Sequence, residues 1–415
     1  MRKAPLILVA AVALLAGCSS SVDSTESNVS PASTVNSQDG VPPGYPADID
    51  ILAPLVIKAI GAQPIPVTGA DGNVHVAYEI SVLNVSPRPA VITRVDTLAG
   101  GPNGKVVSSL AKNETLARSM LVPNYSGPFT EIPVGRTAVL MLDDVYDARA
   151  DVPAEVTHRL TATFGPAAER DAALGAKYPD TVTQIGGVVT TSASSPVTIG
   201  PPLAGDGWLA ANGCCAVSSH RGALMASAGR INAVERFAID FLQIDTVAGV
   251  GTSTGDGSKN ENYRSYDAPL LAVADGTVKA VVSTMPEETP QQVPDVATVD
   301  QLGGNYVIID IGDGNFAFYA HMIPGSASVK VGDKVTRGQV IGKLGNSGNT
   351  SEPHLHFQVS RAAIPLSGNN VPYEIDRFTL VGSMATDALV RGPNAGERTN
   401  QLPLNDDVVN FPAIS

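Results

Sequence analysis

Apolar and polar residues alternate along the first half of the chain. Between Val74 and Val82 every second residue is apolar, and His75, Glu79 and Ser81 fall at positions between them. A period of two is typical of a β-strand, because successive side chains point to opposite faces. Similar runs, separated by turn-rich stretches such as SPRP and GGPNG, span 90–95, 137–142, 159–164 and 188–191. Several short strands joined by turns predict an immunoglobulin-like β-sandwich over 48–200.

The second half of the chain repeats this strand pattern, with polar side chains on the face opposite the apolar one. In the segment RFAIDF (236–241), the apolar residues would face a core and Asp240 would project from the other side. In EPHLHFQV (352–359), the same alternation places His354 and His356 side by side. Two imidazoles on one face of a strand suit a metal ion and a proton carrier.

Further motifs follow in a particular order along the second half. The segment FAFYAH is an apolar strand that ends in His321. Glycine-punctuated motifs surround it, namely A-x-A-D-G-x-V at 272–278, V-x-x-G-D-x-V-x-x-G-Q at 329–339 and G-x-S-G at 345–348. Together with P-H-L-H-F, this order resembles the lysostaphin or LytM type of zinc metallopeptidase, whose members cut peptide bonds in peptidoglycan. The resemblance predicts a β-sheet-rich peptidase domain over 201–381 and therefore an all-β chain.

The resemblance implies roles for individual residues. In that family the second histidine of H-x-H and an aspartate bind zinc, and these correspond to His356 and Asp240. The first histidine of H-x-H and the histidine of Y-x-H flank the attacking water, which makes His354 and His321 the catalytic pair. A zinc ion with one open position lowers the pKa of its bound water to about 7 and polarises the scissile carbonyl.

The chain departs from the family at the first zinc ligand, a histidine four residues before the aspartate. Arg236 stands there, and an arginine stays protonated and has no lone pair for a metal. A zinc site needs a third protein ligand. We expect a loop to bring in His220, leaving Arg236 to pair with Asp240 or to contact substrate. If His220 is instead an exposed loop residue, the domain is metal-free and becomes a binding module.

Two adjacent cysteines, Cys214 and Cys215, precede His220. Free thiols are unusual in an oxidising compartment, and neighbouring Cα atoms about 3.8 Å apart make a disulfide between them strained. A zinc site of both cysteines with His220 is a third alternative, but it leaves Asp240 and His356 unexplained. We expect the two cysteines to shape the loop that carries His220.

The first residues have the pattern of an export signal. A basic start is followed by a short apolar core and by Leu-Ala-Gly-Cys, which ends at Cys18. A core this short favours a secretion signal over a membrane-spanning helix. The ending resembles the lipobox of bacterial lipoproteins, in which the signal is cleaved before the cysteine and its thiol carries the lipid. Residues 18–47 are rich in Ser, Thr, Asn and Pro, which predicts a disordered tether.

The formal net charge of −13 at pH 7 provides no basic surface for phosphates, which argues against nucleic acid as a partner. We predict a zinc-dependent endopeptidase acting on peptidoglycan peptides, anchored by a lipid at Cys18 on the extracytoplasmic side of a membrane in the cell envelope. Two alternatives are a catalytically inactive envelope lipoprotein that binds peptidoglycan or regulates a partner hydrolase, and a zinc peptidase acting on proteins. The predicted segments are a signal peptide (1–17), a tether (18–47), a sandwich (48–200), a peptidase domain (201–381) and a tail (382–415).

Overall fold

The structure is a computed structural model that describes residues 53–414 except 112–113, 123–128, 216, 228, 248–250, 293, 295 and 387. Strands account for 45% of the structure and helices for 7%, which confirms the predicted all-β fold class. The predicted signal peptide, the lipidation at Cys18 and the tether lie outside the described residues. Within the described ranges, no helix combines the length and the apolar character needed to cross a membrane.

Ten strands lie in the part of the N-terminal region that the structure describes. They are β1 (Leu55–Ile60), β2 (Val67–Thr68), β3 (Val74–Asn84), β4 (Ala90–Ala99), β5 (Val106–Ala111), β6 (Met120–Leu121), β7 (Glu131–Ile132), β8 (Thr137–Tyr146), β9 (Glu155–Phe164) and β10 (Thr181–Thr190). Helices are short: α1 (Glu114–Arg118), α2 (Ala172–Gly175) and 3-10 turns at Arg149–Asp151 and Glu169–Asp171.

These strands form two antiparallel sheets that pack face to face. The first has the order β1-β3-β8-β6 with β2 beside β3, and the second has the order β10-β9-β4-β5 with β7 beside β4. Alternating apolar residues from both sheets fill the space between them, among them Tyr78, Ile80, Ile92, Leu140 and Leu160. The region is therefore a β-sandwich, and its immunoglobulin-like topology stays a prediction.

Strand β3 is buried on both faces along its first half. Its burial extends to His75, Ala77 and Glu79, which occupy the face opposite the sandwich core. Ala77 belongs to the large apolar cluster of the C-terminal region, together with Val67 and Ala70. The face that alternation alone assigns to solvent is thus an interface between the two regions.

Among the described residues of the C-terminal region there are seventeen strands. They are β11 (Val197–Ile199), β12 (Gly205–Ala211), β13 (Leu224–Ser227), β14 (Arg230–Ala233), β15 (Ile239–Gln243), β16 (Pro269–Leu271), β17 (Gly276–Val282), β18 (Tyr306–Asp310), β19 (Phe316–Ala320), β20 (Lys334–Val335), β21 (Val340–Lys343), β22 (Leu355–Ser360), β23 (Tyr373–Ile375), β24 (Phe378–Ala385), β25 (Ala388–Val390), β26 (Gly396–Arg398) and β27 (Asp407–Phe411). The helical segments are α3 (Ser219–Gly222) and 3-10 turns at Asn260–Asn262 and Val299–Gln301.

One large sheet organises this region. Its strand order is β20-β17-β18-β19-β22-β15-β12-β27-β24-β25, with β26 beside β24. Strands β11 and β23 pair in parallel, and β13-β14 and β16-β21 form separate antiparallel pairs. The segment 382–415, which has little periodicity and was predicted as a tail, is part of this sheet. Its strand β27 lies between β12 and β24.

Candidate functional site

The middle of the large sheet brings together three side chains that can bind a metal. Asp240 on β15 lies directly opposite His356 on β22 in the strand register, and His356 Nδ1 is 3.1 Å from Asp240 Oδ1. His220 approaches from α3, with its Nε2 atom 3.3 Å from Asp240 Oδ2. One donor atom from each residue lies within 4.8 Å of the other two, and all three residues are buried.

Strand alternation explains how two of these donors come to the site. Phe241 and Phe357 point into the apolar core, so Asp240 and His356 project together from the opposite face. His220 depends on a loop instead. Ser218 caps the short helix α3 by accepting a hydrogen bond from the Arg221 backbone, and this turn directs His220 inward.

Each of the four histidines of this region has one ring nitrogen facing an oxygen outside the cluster. A backbone carbonyl or a carboxamide oxygen that accepts from one ring nitrogen fixes the ring and leaves the other nitrogen to offer its lone pair whenever the imidazole is neutral. The contacts are His220 Nδ1 with Ala238 O at 3.2 Å, His321 Nδ1 with Ser347 O at 2.8 Å, His354 Nδ1 with Glu352 O at 2.8 Å and His356 Nε2 with Gln358 Oε1 at 3.3 Å.

His321 and His354 lie side by side next to the three donors. Their ring centroids are 4.7 Å apart, and His354 Nε2 is 3.4 Å from Asp240 Oδ1. His321 follows the end of β19 and has a φ of 62°, a backbone conformation that is uncommon for residues other than glycine. Its backbone N–H donates to the Gly303 carbonyl and its own carbonyl accepts from Gly345, so the surrounding loops hold this strained conformation.

The carboxylate dominates the electrostatics of the cluster. Burial alone raises the pKa of Asp240, but the adjacent His220 and His354 hold it well below its usual value. Burial lowers the pKa of His220, and Asp240 more than reverses this and raises it to about 9. His321 has its pKa lowered well below the ordinary value, because it is buried beside His354 and His356. The site therefore favours a negative Asp240 and a neutral His321.

Arg236 has a different partner from the one expected. Its guanidinium donates to both carboxylate oxygens of Glu79, on β3 of the sandwich, and its side chain is buried. The expectation that Arg236 pairs with Asp240 or contacts substrate is corrected accordingly. The physical reason is that a buried guanidinium needs a carboxylate, and the sandwich provides one.

The two adjacent cysteines are joined to each other. Cys214 and Cys215 form a buried disulfide in the loop between β12 and α3, which leaves neither sulfur as a thiolate for zinc. His75 and Asp143 of the sandwich meet Cys215 in a second group of three donor residues. The Cys215 sulfur is already in a disulfide and cannot bind a metal. What remains is an ion pair between His75 and Asp143.

Several supporting residues escape the sequence patterns. Asn212, which follows the end of β12, donates from Nδ2 to Asp240 Oδ2 at 2.8 Å. The Thr350 Oγ1 atom lies 3.2 Å from His354 Nδ1. Gln358 could have been found, since it follows His356 by two residues and so shares its face of β22. Asn212 and Thr350 come from loops and carry no such signal.

Comparison with known families identifies part of this region. Residues 263–369 match the family model described as Peptidase family M23. The matched range contains His321, His354 and His356, whereas His220 and Asp240 lie upstream of it.

Three curated relatives are similar to parts of the chain. Peptidoglycan DD-endopeptidase ShyA of Vibrio cholerae is 39% identical over 84 residues, covering 18% of this chain and 19% of that protein. Cell division protein DipM of Caulobacter vibrioides is 31% identical over 124 residues, covering 29% of this chain and 17% of that protein. Glycyl-glycine endopeptidase ALE-1 of Staphylococcus capitis is 25% identical over 153 residues, covering 37% of each. The chain thus spans well under half the length of these relatives.

Proposed function

We propose, from the premise that the chain carries a peptidase M23 domain, that this protein is a zinc-dependent endopeptidase that hydrolyses peptide bonds in peptidoglycan. The observation that carries the proposal is the convergence of donor atoms from His220, Asp240 and His356 within 4.8 Å, beside a pair of further histidines. The similarity to ShyA, which is named a peptidoglycan DD-endopeptidase, supports the substrate class.

The donor set fits a zinc ion on chemical grounds. Two imidazole nitrogens and one carboxylate oxygen are ligands that Zn²⁺ accepts in catalytic sites, where three protein ligands leave a fourth position open. His220, Asp240 and His356 would hold the ion. When bound, it would act as a Lewis acid on the scissile carbonyl and lower the pKa of an attacking water.

Two histidines of the chain act on the attacking water, His354 as the proton carrier and His321 as the residue that orients it. With Nδ1–H donated to the Glu352 carbonyl, His354 has its lone pair at Nε2, which accepts the proton of the attacking water and later returns it to the leaving amine. His321 has its Nδ1–H on the Ser347 carbonyl, so its Nε2 atom orients the same water by accepting a hydrogen bond. Asn212 keeps Asp240 oriented by donating to Oδ2.

The test is the zinc content of the purified full chain, measured for the wild type and for His220→Ala after both have been incubated with the metal. We expect about one zinc per chain in the wild type and a much lower content in the variant. Release of peptides from purified peptidoglycan should follow the zinc content. Absence of zinc from both proteins would contradict the proposal and favour a non-catalytic envelope protein that binds peptidoglycan or regulates a partner hydrolase.

The cellular location is part of the same proposal. A peptidoglycan substrate requires an extracytoplasmic position, and the lipobox-like ending at Cys18 supports attachment by a lipid. Cys18→Ser should abolish incorporation of a labelled fatty acid and release the protein from the membrane fraction. Continued labelling of the variant would contradict a lipid at this residue.

A further inference from the structure

A buried group of charges joins the candidate metal centre to the sandwich. Glu79 of β3 is 1% exposed and faces two arginines of the C-terminal region, Arg221 and Arg236, which are 1% and 3% exposed. Arg236 donates to both carboxylate oxygens, and Arg221 Nη2 lies 3.3 Å from Glu79 Oε1. Burial raises the pKa of Glu79, but the two guanidiniums lower it below its usual value, so the carboxylate stays ionised.

Arg221 is fixed to the sandwich by more than its charge. Its Nη2 atom donates to the backbone carbonyls of Tyr78 and Leu142, at 3.3 and 3.1 Å, on the paired strands β3 and β8. Its Nη1 atom donates to the carbonyl of Cys215, in its own loop, at 3.0 Å. The side chain thus ties the loop between β12 and α3 to two strands of the other region.

His220 is the residue immediately before Arg221. Consecutive residues of a helical turn project roughly 100° apart, and here one enters the sandwich while the other reaches Asp240. The helix α3 has only four residues, so it has little rigidity of its own to hold His220. Removing a buried guanidinium from its carboxylate and carbonyls is strongly unfavourable, and this fastens α3 against the sandwich.

We propose that Arg221, held by Glu79, is a positioning residue for His220, so that metal affinity in the peptidase region depends on docking of the sandwich. The inference rests on the proposed function, in which His220 is the third zinc ligand. Two protein ligands remain when α3 is released, and two ligands hold zinc weakly.

The experiment measures the Zn²⁺ dissociation constant of the metal-free full chain by competition with a chromogenic chelator. Arg221→Met keeps an apolar stem and leaves Glu79 paired with Arg236, so the buried group loses a positive charge without orphaning the carboxylate. We expect its dissociation constant to rise about 10–100-fold, the range typical of outer partners of metal ligands. The matched control is Glu374→Gln, at another contact between the two regions, where Glu374 Oε1 accepts from the Thr68 backbone. We expect this control to stay within about twofold.

A spectroscopic readout separates positioning from general loss of stability. With Co²⁺ in place of zinc, the visible absorption bands of Arg221→Met should shift toward those of His220→Ala, because both weaken the same ligand. Urea unfolding of the metal-free proteins reports whether each variant is folded. Should Arg221→Met fail to fold, Arg221→Lys takes its place, since it keeps a charge near Glu79 but cannot reach both carbonyls; a tenfold rise is expected.

The outcomes distinguish this inference from the proposed function. If His220→Ala loses zinc while a folded Arg221 variant binds it as tightly as the wild type, the positioning role is overturned and the zinc site stands. If His220→Ala itself binds zinc like the wild type, the third ligand has been assigned wrongly and the positioning role falls with it.

Discussion

The two regions of the molecule bury histidines in different ways. All six histidines of the sequence are buried, two in the sandwich and four in the C-terminal region. In the sandwich, both ring nitrogens of each histidine have partners: His75 contacts Asp143 and Asp71, and His158 contacts Tyr78 and the Gly187 carbonyl. In the C-terminal region each ring has one nitrogen facing an oxygen outside the cluster, and the second nitrogens of His220, His354 and His356 all lie within 3.4 Å of the one carboxylate of Asp240.

This difference shows which property marks a chemical site. Neither burial nor a perturbed pKa does so, because burial lowers the pKa of His158 to about 4, and Asp143 and Asp71 raise that of His75 to about 10 despite burial. Both pKa shifts have ordinary causes, namely burial for His158 and two neighbouring carboxylates for His75. In the C-terminal region, by contrast, His220, His354 and His356 share the single carboxylate of Asp240, and we expect a metal ion to complete the contacts of this cluster.

The largest expected effect contrasts His356→Ala with His75→Ala. Losing a ligand should exceed the 10–100-fold typical of an outer partner, so we expect His356→Ala to weaken zinc binding by about a thousandfold or more. His75→Ala should leave both zinc stoichiometry and affinity unchanged, since its ring is occupied by two carboxylates. Chelator competition checks both. Loss of zinc in the His75 variant alone would contradict the assignment and place the metal beside His75 and Asp143 instead.

The next largest effect is a loss of activity without a loss of zinc, which we expect when His354 is replaced. His354→Gln should lower kcat for peptidoglycan hydrolysis by about 10²–10⁴, because it removes a general base. Zinc content should remain near that of the wild type. A variant that loses its zinc along with its activity would make His354 a ligand and contradict its assignment as the general base.

The two histidines of the sandwich should affect how the free energy of unfolding depends on pH. With a pKa near 4 in the folded chain and about 6.5 when unfolded, His158 binds its proton more readily in the unfolded chain between these values. Its contribution is therefore present above pH 6.5 and lost as the pH falls toward 4, by about 3 kcal/mol. His158→Gln should flatten this acid limb in urea unfolding measured from pH 4 to 7. An acid limb of unchanged slope would assign it to other groups.

His75 should act with the opposite sign. Its pKa rises from 6.5 to about 10 on folding, so its ion pairs contribute fully below pH 6.5 and are lost as the pH rises toward 10. His75→Gln should therefore flatten the alkaline limb and leave the acid limb in place. Equal slopes in wild type and variant above pH 6.5 would contradict the ionised pairing with Asp143 and Asp71.

The smallest effect concerns the residue that fixes the His356 ring. Gln358→Met should weaken zinc binding about tenfold, at the low end for outer partners, because the contact with His356 Nε2 is long at 3.3 Å. Gln358→Glu, which keeps an acceptor oxygen, should bind zinc at least as tightly as the wild type. Equal affinities for the Met and Glu variants would show that Gln358 does not orient the ring.

Alternation along single strands could be predicted well from the sequence. The pairing of apolar Phe241 and Phe357 on one face with Asp240 and His356 on the other follows directly from a period of two. Alternation does not tell what covers a polar face. Either water or a pair of arginines can satisfy the carboxylate of Glu79, so the pattern fits an exposed and a buried position equally well. In the structure Glu79 is buried against two arginines of the other region.

Long-range partners and loops explain the remaining differences. Glu79 and Arg236 are 157 positions apart in sequence, and no local pattern connects them. His220 was predicted as a metal ligand because the site needed a third one. Periodicity could not predict it, because its helix has only four residues. The short run DVVNF offered too few alternations to predict β27, whose place in the sheet is set by the edges of β12 and β24.

The interior place of β27 has a consequence for synthesis. Strands β12 and β24 are both translated before β27. The edge of each strand that pairs with β27 therefore stays open to water until residues 407–411 have left the ribosome. Strand β12 also pairs with β15, which carries Asp240, and Asn212 at its end supports that carboxylate. A nascent chain that has not reached Phe411 therefore lacks the finished sheet that supports Asp240, and we expect the proposed metal site to form only after β27 has been synthesised.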